Sequence, residues 1–420
     1  MNDLERRVSE RIERNWEEET RFLQGLIRRP STLGNEARVQ RFIADELSSM
    51  GLEADVWQID HAEISRMKGY SPVEWSYEGR PNVATTWRGS GGGRSLIFNG
   101  HVDVVPATPE HHWTYDPWGA EIVDGRMYGR GAADMKSGIA AMVYAVRALR
   151  EEGANLEGDV TLETVIEEEC TGNGALAARV RGYGAEAAII PEPLNQAALV
   201  AQVGVMWARV TVRGRGAHAE RASGAVNAIH KAYLMIQAIQ ELESAVNAEE
   251  RPEHFAEVEH PLNYNVGVIR GGDWASSVPE ECTIVVRISA YPGEDLGEVQ
   301  DRFKSHLLKA ARADPWLSEH PPQISFYAFL AEGCTVDQEA QIFVPLRERH
   351  RSVMGSELDL LAFTATTDAR FFNLYHNIPA TCYGPIGASL HAPDEWVDLE
   401  SVKNVTKVLA LTTMDWCGVA

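Results

Sequence analysis

The feature that most restricts the fold is an alternation of short apolar runs with helical stretches through the N-terminal half of the chain. Ser95–Phe98, Val160–Ile166 and Ala187–Ile190 have the length and composition of buried strands. Residues 139–152 and 174–180, which lie between them, carry helical periodicity. Before this region, a helical pattern runs to about Met50. Phe22, Leu23, Leu26 and Ile27 form its apolar stripe, and Arg29-Pro30 interrupts it. Strand–helix alternation of this kind predicts an α/β layer fold with a mostly parallel sheet.

The texture changes near Val205. A strand over 205–212, a helix over 225–244, strands over 264–269 and 283–288, a helix over 296–313 and a strand over 323–330 follow in order. That succession makes a self-sufficient, ferredoxin-like αβ sandwich. At 420 residues the chain is also too long for one ordinary core. The expected organisation is one domain from residues 1–204 and 331–420, with residues 205–330 inserted as a second.

Charge narrows the partners. Acidic side chains number 61 against 39 basic, a formal net charge of −22, and this opposes binding to nucleic acid or an anionic membrane. The charged N-terminal segment lacks the apolar core of a signal peptide, and no run approaches the roughly 20 apolar residues of a membrane span. Five cysteines are scattered without CxxC spacing, which fits a reducing cytoplasm better than a disulfide framework.

Several acidic and imidazole groups fall at the ends of the expected strands. His101 and Asp103 follow the run ending at Phe98, and Glu167, Glu168 and Glu169 follow the run from Val160. Glu192 follows Ile190, Asp134 lies in the glycine-rich turn from Gly129 to Gly138, and His391 sits in a late Gly/Pro-rich segment. In open α/β sheets the C-terminal strand ends line the ligand crevice, so these groups can meet. Taken singly, each is equally at home as a surface or core residue. The glycine-rich turn lacks the spacing of a P-loop. Cys170 has no histidine near it in sequence to activate it as a nucleophile.

Taken together, their order resembles the dizinc metallopeptidase family of acetylornithine deacetylase, succinyl-diaminopimelate desuccinylase, aminoacylase and carboxypeptidase G. The matching segments are Gly100–Pro106, Gly129–Gly138, Glu167–Glu169, Glu192-Pro193, Gly216–His218, Thr367–Arg370, Gly384-Pro385 and His391. The resemblance implies a catalytic domain with an inserted lid and dimerisation domain. It also implies two divalent metal ions, of which zinc best suits nitrogen and carboxylate ligands, with cobalt or manganese as alternatives. Asp134 would bridge the two ions, His101 and Glu192 would complete one site, and Glu169 and His391 the other. Asp103 would fix the His101 tautomer, and the peptide after Asp134 would be cis. Glu168 would be the general base toward a metal-bound hydroxide. His218 would reach the partner's site in a homodimer formed through the inserted domain. Since side chains alternate along a strand, Glu168 can face the site between Glu167 and Glu169 only if the strand bends there.

The implied reaction is hydrolysis of the amide bond of a small molecule such as an N-acyl amino acid. Substrate recognition departs from the family pattern. Where relatives carry a carboxylate-binding Asn and Arg, this chain has Ser276 and Ser289, and Arg287 lies on the same strand face as Ser289. Arg287, Ser276, Arg370 and Gly387 are the candidate substrate contacts. Trp113, Trp118, Trp207 and Trp274 leave room for an aromatic substrate. The alternatives are an aromatic or heterocyclic amide, formamide or amine without an α-carboxylate, a dipeptide, or a scaffold without catalysis. The scaffold is disfavoured because no ligand and no base has been lost.

Overall fold

The computed structural model describes residues 2–420. Its larger sheet has six strands in the order Asp55–Gln58, Pro81–Trp87, Val160–Val165, Leu96–His101, Ala187–Ile190, Ala380–Cys382. The last four run parallel to one another; Pro81–Trp87 joins them antiparallel at one edge, and Asp55–Gln58 pairs antiparallel with it. Strands 96–101 and 160–165 are buried at every residue, as expected of a sheet covered on both faces. Helix Ser137–Glu151 packs between Asp3–Ile27 and Leu399–Cys417. The register sets His101 opposite Val165, two residues before Glu167, so the strand ends bring the site together.

The inserted segment forms a four-stranded antiparallel sheet in the order Asn265–Gly271, Glu281–Ala290, Gly204–Arg213, Gln323–Ala331. Burial alternates along Gly204–Arg213, so one face meets helices Ala228–Asn247 and Leu296–Ala311 and the other is more open. The apolar residues of this unit, from Ala201 to Leu317, make a core of their own, while the main core draws on residues up to Leu199 and from Val336 onward. The first helix starts at Ala228, three residues later than expected. Asn227 caps it there, accepting hydrogen bonds from the amides of Ile229 and His230. Similarly, the N-terminal helical pattern divides into Asp3–Ile27 and Ala37–Ser49 around Arg29-Pro30. Among the described residues no helix is long and apolar enough to cross a membrane.

Candidate active site

The turn carrying Asp134 is held from two sides. The buried Glu395 carboxylate accepts hydrogen bonds from the amides of Gly131 (3.1 Å), Ala133 (3.0 Å) and Asp134 (3.0 Å), and pairs with Arg130 at 2.5 Å. On the other side the Lys136 ammonium donates to the carbonyls of Leu26 (3.0 Å) and Arg29 (3.1 Å) at the end of the first helix. The Asp134–Met135 peptide is cis. Glycine is required at Gly138, where a Cβ would lie 2.0 Å from the Pro191 carbonyl, just before Glu192.

Around Asp134 two imidazoles meet different oxygens of one carboxylate. His101 Nε2 lies 3.1 Å from Oδ1, and His391 Nε2 lies 3.4 Å from Oδ2. His391 is also 3.1 Å from Glu169, whereas His101 is 3.8 Å from Glu192 and 3.9 Å from Glu168. His101 is buried, but the His391 side chain is 53% exposed, so the site opens on its side. The His101 ring is oriented by the Asp103 backbone carbonyl, 2.9 Å from Nδ1, rather than by the Asp103 carboxylate at 3.7 Å.

That carboxylate has another task. It accepts hydrogen bonds from the amides of Glu168 (3.2 Å) and Glu169 (3.1 Å), tying the glutamate turn to the His101 strand end. The strand stops at Val165, and Glu167 turns the chain with φ +70°. A left-handed conformation costs a non-glycine residue roughly 1–2 kcal/mol. The Glu167 carbonyl accepts the amides of Thr171 (2.9 Å) and Gly172 (2.6 Å), which closes the turn. At Gly172, with φ +72°, a Cβ would press on Phe371 and Arg370.

The site is short of positive charge. Five carboxylates (Asp103, Asp134, Glu168, Glu169, Glu192) surround two imidazoles. Burial pushes Glu168 well above the usual carboxylate range, and the Glu192 charge adds to the shift even though His101 opposes it. Burial does the same to Glu192, reinforced by Asp134 and Asp368. Burial also raises Asp103, to about 7. Asp134 goes the other way: despite its burial, its bonds to His101 and His391 hold it below the usual range. The Glu169 charge raises His391 to about 11. For His101, burial opposes the charged form, but Glu192, Asp134 and Glu168 outweigh it. Donor atoms of His101, Asp134 and Glu169 all lie within 4.8 Å of one another, a group able to hold a metal ion. Nitrogen and carboxylate donors, with uncompensated negative charge around them, fit divalent cations.

The sequence profile of peptidase family M20/M25/M40 matches residues 97–415, which include all of these groups. The chain belongs to this family. It is 27% identical over 430 residues to N-formyl-4-amino-5-aminomethyl-2-methylpyrimidine deformylase of Halalkalibacterium halodurans, covering 97% of this chain and 96% of the relative. It is 29% identical over 399 residues to succinyl-diaminopimelate desuccinylase of Thioalkalivibrio sulfidiphilus, covering 92% and 95%. Its fold matches the dipeptidase Dug1p of Saccharomyces cerevisiae with a TM-score of 0.81 at 15% identity, over 99% of each chain.

Of the remaining expected contacts of this M20-family chain, His218, Ser276 and Arg287 lie on the inserted unit, and Arg370 and Gly387 on the larger one. His218 and Ser276 are exposed neighbours on the inserted unit: Ala217–His218 pairs with Ser277–Val278, and the Ser276 carbonyl accepts the amide of Ala219 at 2.9 Å. Arg287 donates to the hydroxyl of Ser289 (2.7 Å) and to the carbonyl of Thr364 (3.0 Å). Arg370 is buried, stacks on Phe371 and donates to the Thr171 carbonyl at 2.6 Å, so it faces the interior. Gly387 lies against Ala133, beside Asp134, where a Cβ would come within 2.5 Å of the Ala133 side chain. Glu395 was not foreseen from sequence. Its one signal is its place four residues after His391, which does not distinguish a buried clamp from a surface acid.

Proposed function

We propose that this M20-family hydrolase removes a small acyl group from the nitrogen of a small molecule, using two divalent cations held by His101, Asp134, Glu169, Glu192 and His391. The observation that carries the reading is the pair of imidazoles on opposite oxygens of Asp134, at 3.1 and 3.4 Å. In this reading Asp134 serves both cations, His101 and Glu192 complete one site, and Glu169 and His391 the other. Zinc suits these donors best, with cobalt or manganese as substitutes. When bound, the cations supply Lewis acidity toward the amide carbonyl and bring the pKa of a water toward about 7.

The chain's own groups then manage position and protons. Glu168 accepts a proton from the attacking water as its oxygen joins the carbonyl carbon. It returns that proton to the nitrogen as the C–N bond breaks. Asp103 fixes the amides of Glu168 and Glu169, and Glu395 fixes that of Asp134. Edge strand Asn265–Gly271 presents Val268 and Ile269 to solvent, beside exposed Ile229 and Tyr233. We place a second copy of the chain on this edge, with the partner's His218 donating a hydrogen bond to the developing oxyanion. Five free, buried cysteines support a cytoplasmic setting.

One observation favours a substrate without an α-carboxylate. Arg287 already donates to Ser289, Asn263 and Thr364, and Ser276 and Ser289 carry no charge to replace it. A formamide or acylamide of a heterocyclic amine therefore stands beside the N-acyl amino acid, with Gly387 as an uncharged wall beside Asp134. The test is a hydrolysis screen with added Zn²⁺ or Co²⁺ over N-formyl, N-acetyl and N-succinyl amino acids, heterocyclic formamides, aromatic amides and dipeptides. Release of the acyl group from a non-peptide amide supports the reading. Turnover of dipeptides alone overturns it.

A further inference from the structure

Glu167 precedes the proposed base and touches none of the cation-binding groups, yet it is among the most heavily bonded side chains in the protein. Its carboxylate is fully buried and accepts from Trp75 Nε1 (2.5 Å), Tyr77 Oη (3.0 Å), Thr171 Oγ1 (2.9 Å) and the Arg80 guanidinium (2.6 Å). Arg80 continues to the buried Glu36, at 2.5 and 3.0 Å. Trp75, Tyr77 and Arg80 all come from the stretch just before strand Pro81–Trp87, so one short segment grips one carboxylate.

The same segment is tied to the inserted unit. Ser71 Oγ accepts the Leu330 amide at 3.2 Å, and the Pro72 carbonyl accepts the Ala328 amide at 2.8 Å. Both of those amides belong to strand Gln323–Ala331, beside the register shift between Tyr327 and Leu330. Glu74 pairs in fork fashion with Arg209 of strand Gly204–Arg213, at 3.1 and 2.9 Å. Residues 71–80 thus form a strap with the inserted sheet at one end and the left-handed Glu167 at the other.

We propose that Trp75, Tyr77 and Glu167 are positioning residues for Glu168, and that the Glu74–Arg209 pair links the aim of Glu168 to the inserted unit. With its backbone at φ +70°, Glu167 sets the direction in which Glu168 leaves the turn. Four donors on its carboxylate hold that strained residue in one conformation. Asp103 fixes the amide of Glu168 from the His101 side and the strap fixes the preceding residue from the opposite side. A shift of the inserted strands therefore reaches the base through the Glu74–Arg209 pair and the contacts of Trp75, Tyr77 and Arg80 with Glu167. The inference rests on Glu168 as the proton-transfer group.

The test uses Trp75→Phe and Tyr77→Phe, each of which deletes one donor to Glu167 and keeps an aromatic side chain, although the second also removes the acceptor of Asn173, in the zinc-loaded full chain with Glu168→Gln as control. Positioning predicts that kcat falls on the order of tenfold while KM and bound zinc stay at wild-type values. Glu74→Gln is expected to lower kcat in the same way, and the exchanged pair Glu74→Arg with Arg209→Glu to restore it. Unchanged kcat in both aromatic variants overturns the inference, as does a kcat loss matched by loss of zinc or by an equal rise in KM. A Glu74→Gln variant with wild-type kcat overturns the link to the inserted unit. If Glu168→Gln itself keeps wild-type kcat, the assignment of the base fails; if it is inactive while Trp75→Phe and Tyr77→Phe are normal, the positioning inference fails alone.

Discussion

The carboxylate of Glu395 accepts the backbone amide of Asp134 at 3.0 Å, across 261 residues of sequence. Because His391 lies four residues before Glu395, the contact ties the segment bearing one imidazole to the carboxylate it faces. Glu395 also neutralises Arg130, so its charge is part of the clamp. Replacing it by Gln keeps the shape and weakens both functions. Glu395→Gln is expected to lower zinc affinity by about 10–100-fold, the usual loss when a group supporting a ligand is removed. Chelator competition measures it, and unchanged affinity would remove Glu395 from the site.

Glu168 carries a different prediction. Its side chain is 3.9 Å from His101 Nε2, against 3.1 Å for Asp134, so it is set back from the nearest imidazole. Glu168→Gln is expected to keep its bound zinc and to lose about 10²–10⁴-fold in kcat, the range for a lost general base. Loss of zinc along with activity would instead make Glu168 a ligand.

The placement of His218 is testable by complementation. Glu168→Gln and His218→Ala chains, each inactive alone, should regain roughly a quarter of wild-type activity when mixed and allowed to exchange, since half of the dimers then hold one intact site. No recovery after verified exchange would place His218 in its own chain's site or outside catalysis.

Away from the site, Glu19 gives the protein a pH-dependent stability. It is buried between helices Asp3–Ile27 and Leu399–Cys417, with Oε1 accepting from Thr406 at 2.6 Å and Oε2 without a partner. Burial raises its carboxyl from 4.5 to about 8. A folded-state value above the unfolded one means the folded protein holds the proton more tightly. This contribution is fully present below pH 4.5 and is lost as pH rises through about 8. The slope in that window is about 1.4 kcal/mol per pH unit for one proton. Glu19→Gln should melt higher than wild type at the alkaline end, with the difference shrinking as pH falls. A pH-independent difference between the two would contradict the assignment.

Much of this was legible in the sequence because the relevant signals are local. Apolar runs gave the three parallel strands of the N-terminal half, and the order of elements over 205–330 matches the observed sheet and helices. The bend needed to present Glu168 is there, in the left-handed Glu167. What escaped depends on long-range pairing. Strand Pro81–Trp87 earns its place only by pairing with Val160–Val165, and helix Leu399–Cys417 by covering Ser137–Glu151. Glu395 and Arg80 are ordinary charged residues in sequence, and only the fold buries them against Asp134 and Glu167. The resemblance implies that the Asp103 carboxylate orients His101, but the Asp103 carbonyl lies against that ring while the carboxylate holds the glutamate turn.

We propose two cations working together at Asp134 in amide hydrolysis. The most direct test is a titration of the metal-free protein with Zn²⁺ while hydrolysis of a small N-acyl compound is followed. Activity is expected to be absent without metal and to rise to a plateau at about two equivalents per chain. Full hydrolysis by the metal-free protein, or saturation with zinc and no hydrolysis of any small amide, would contradict the proposal.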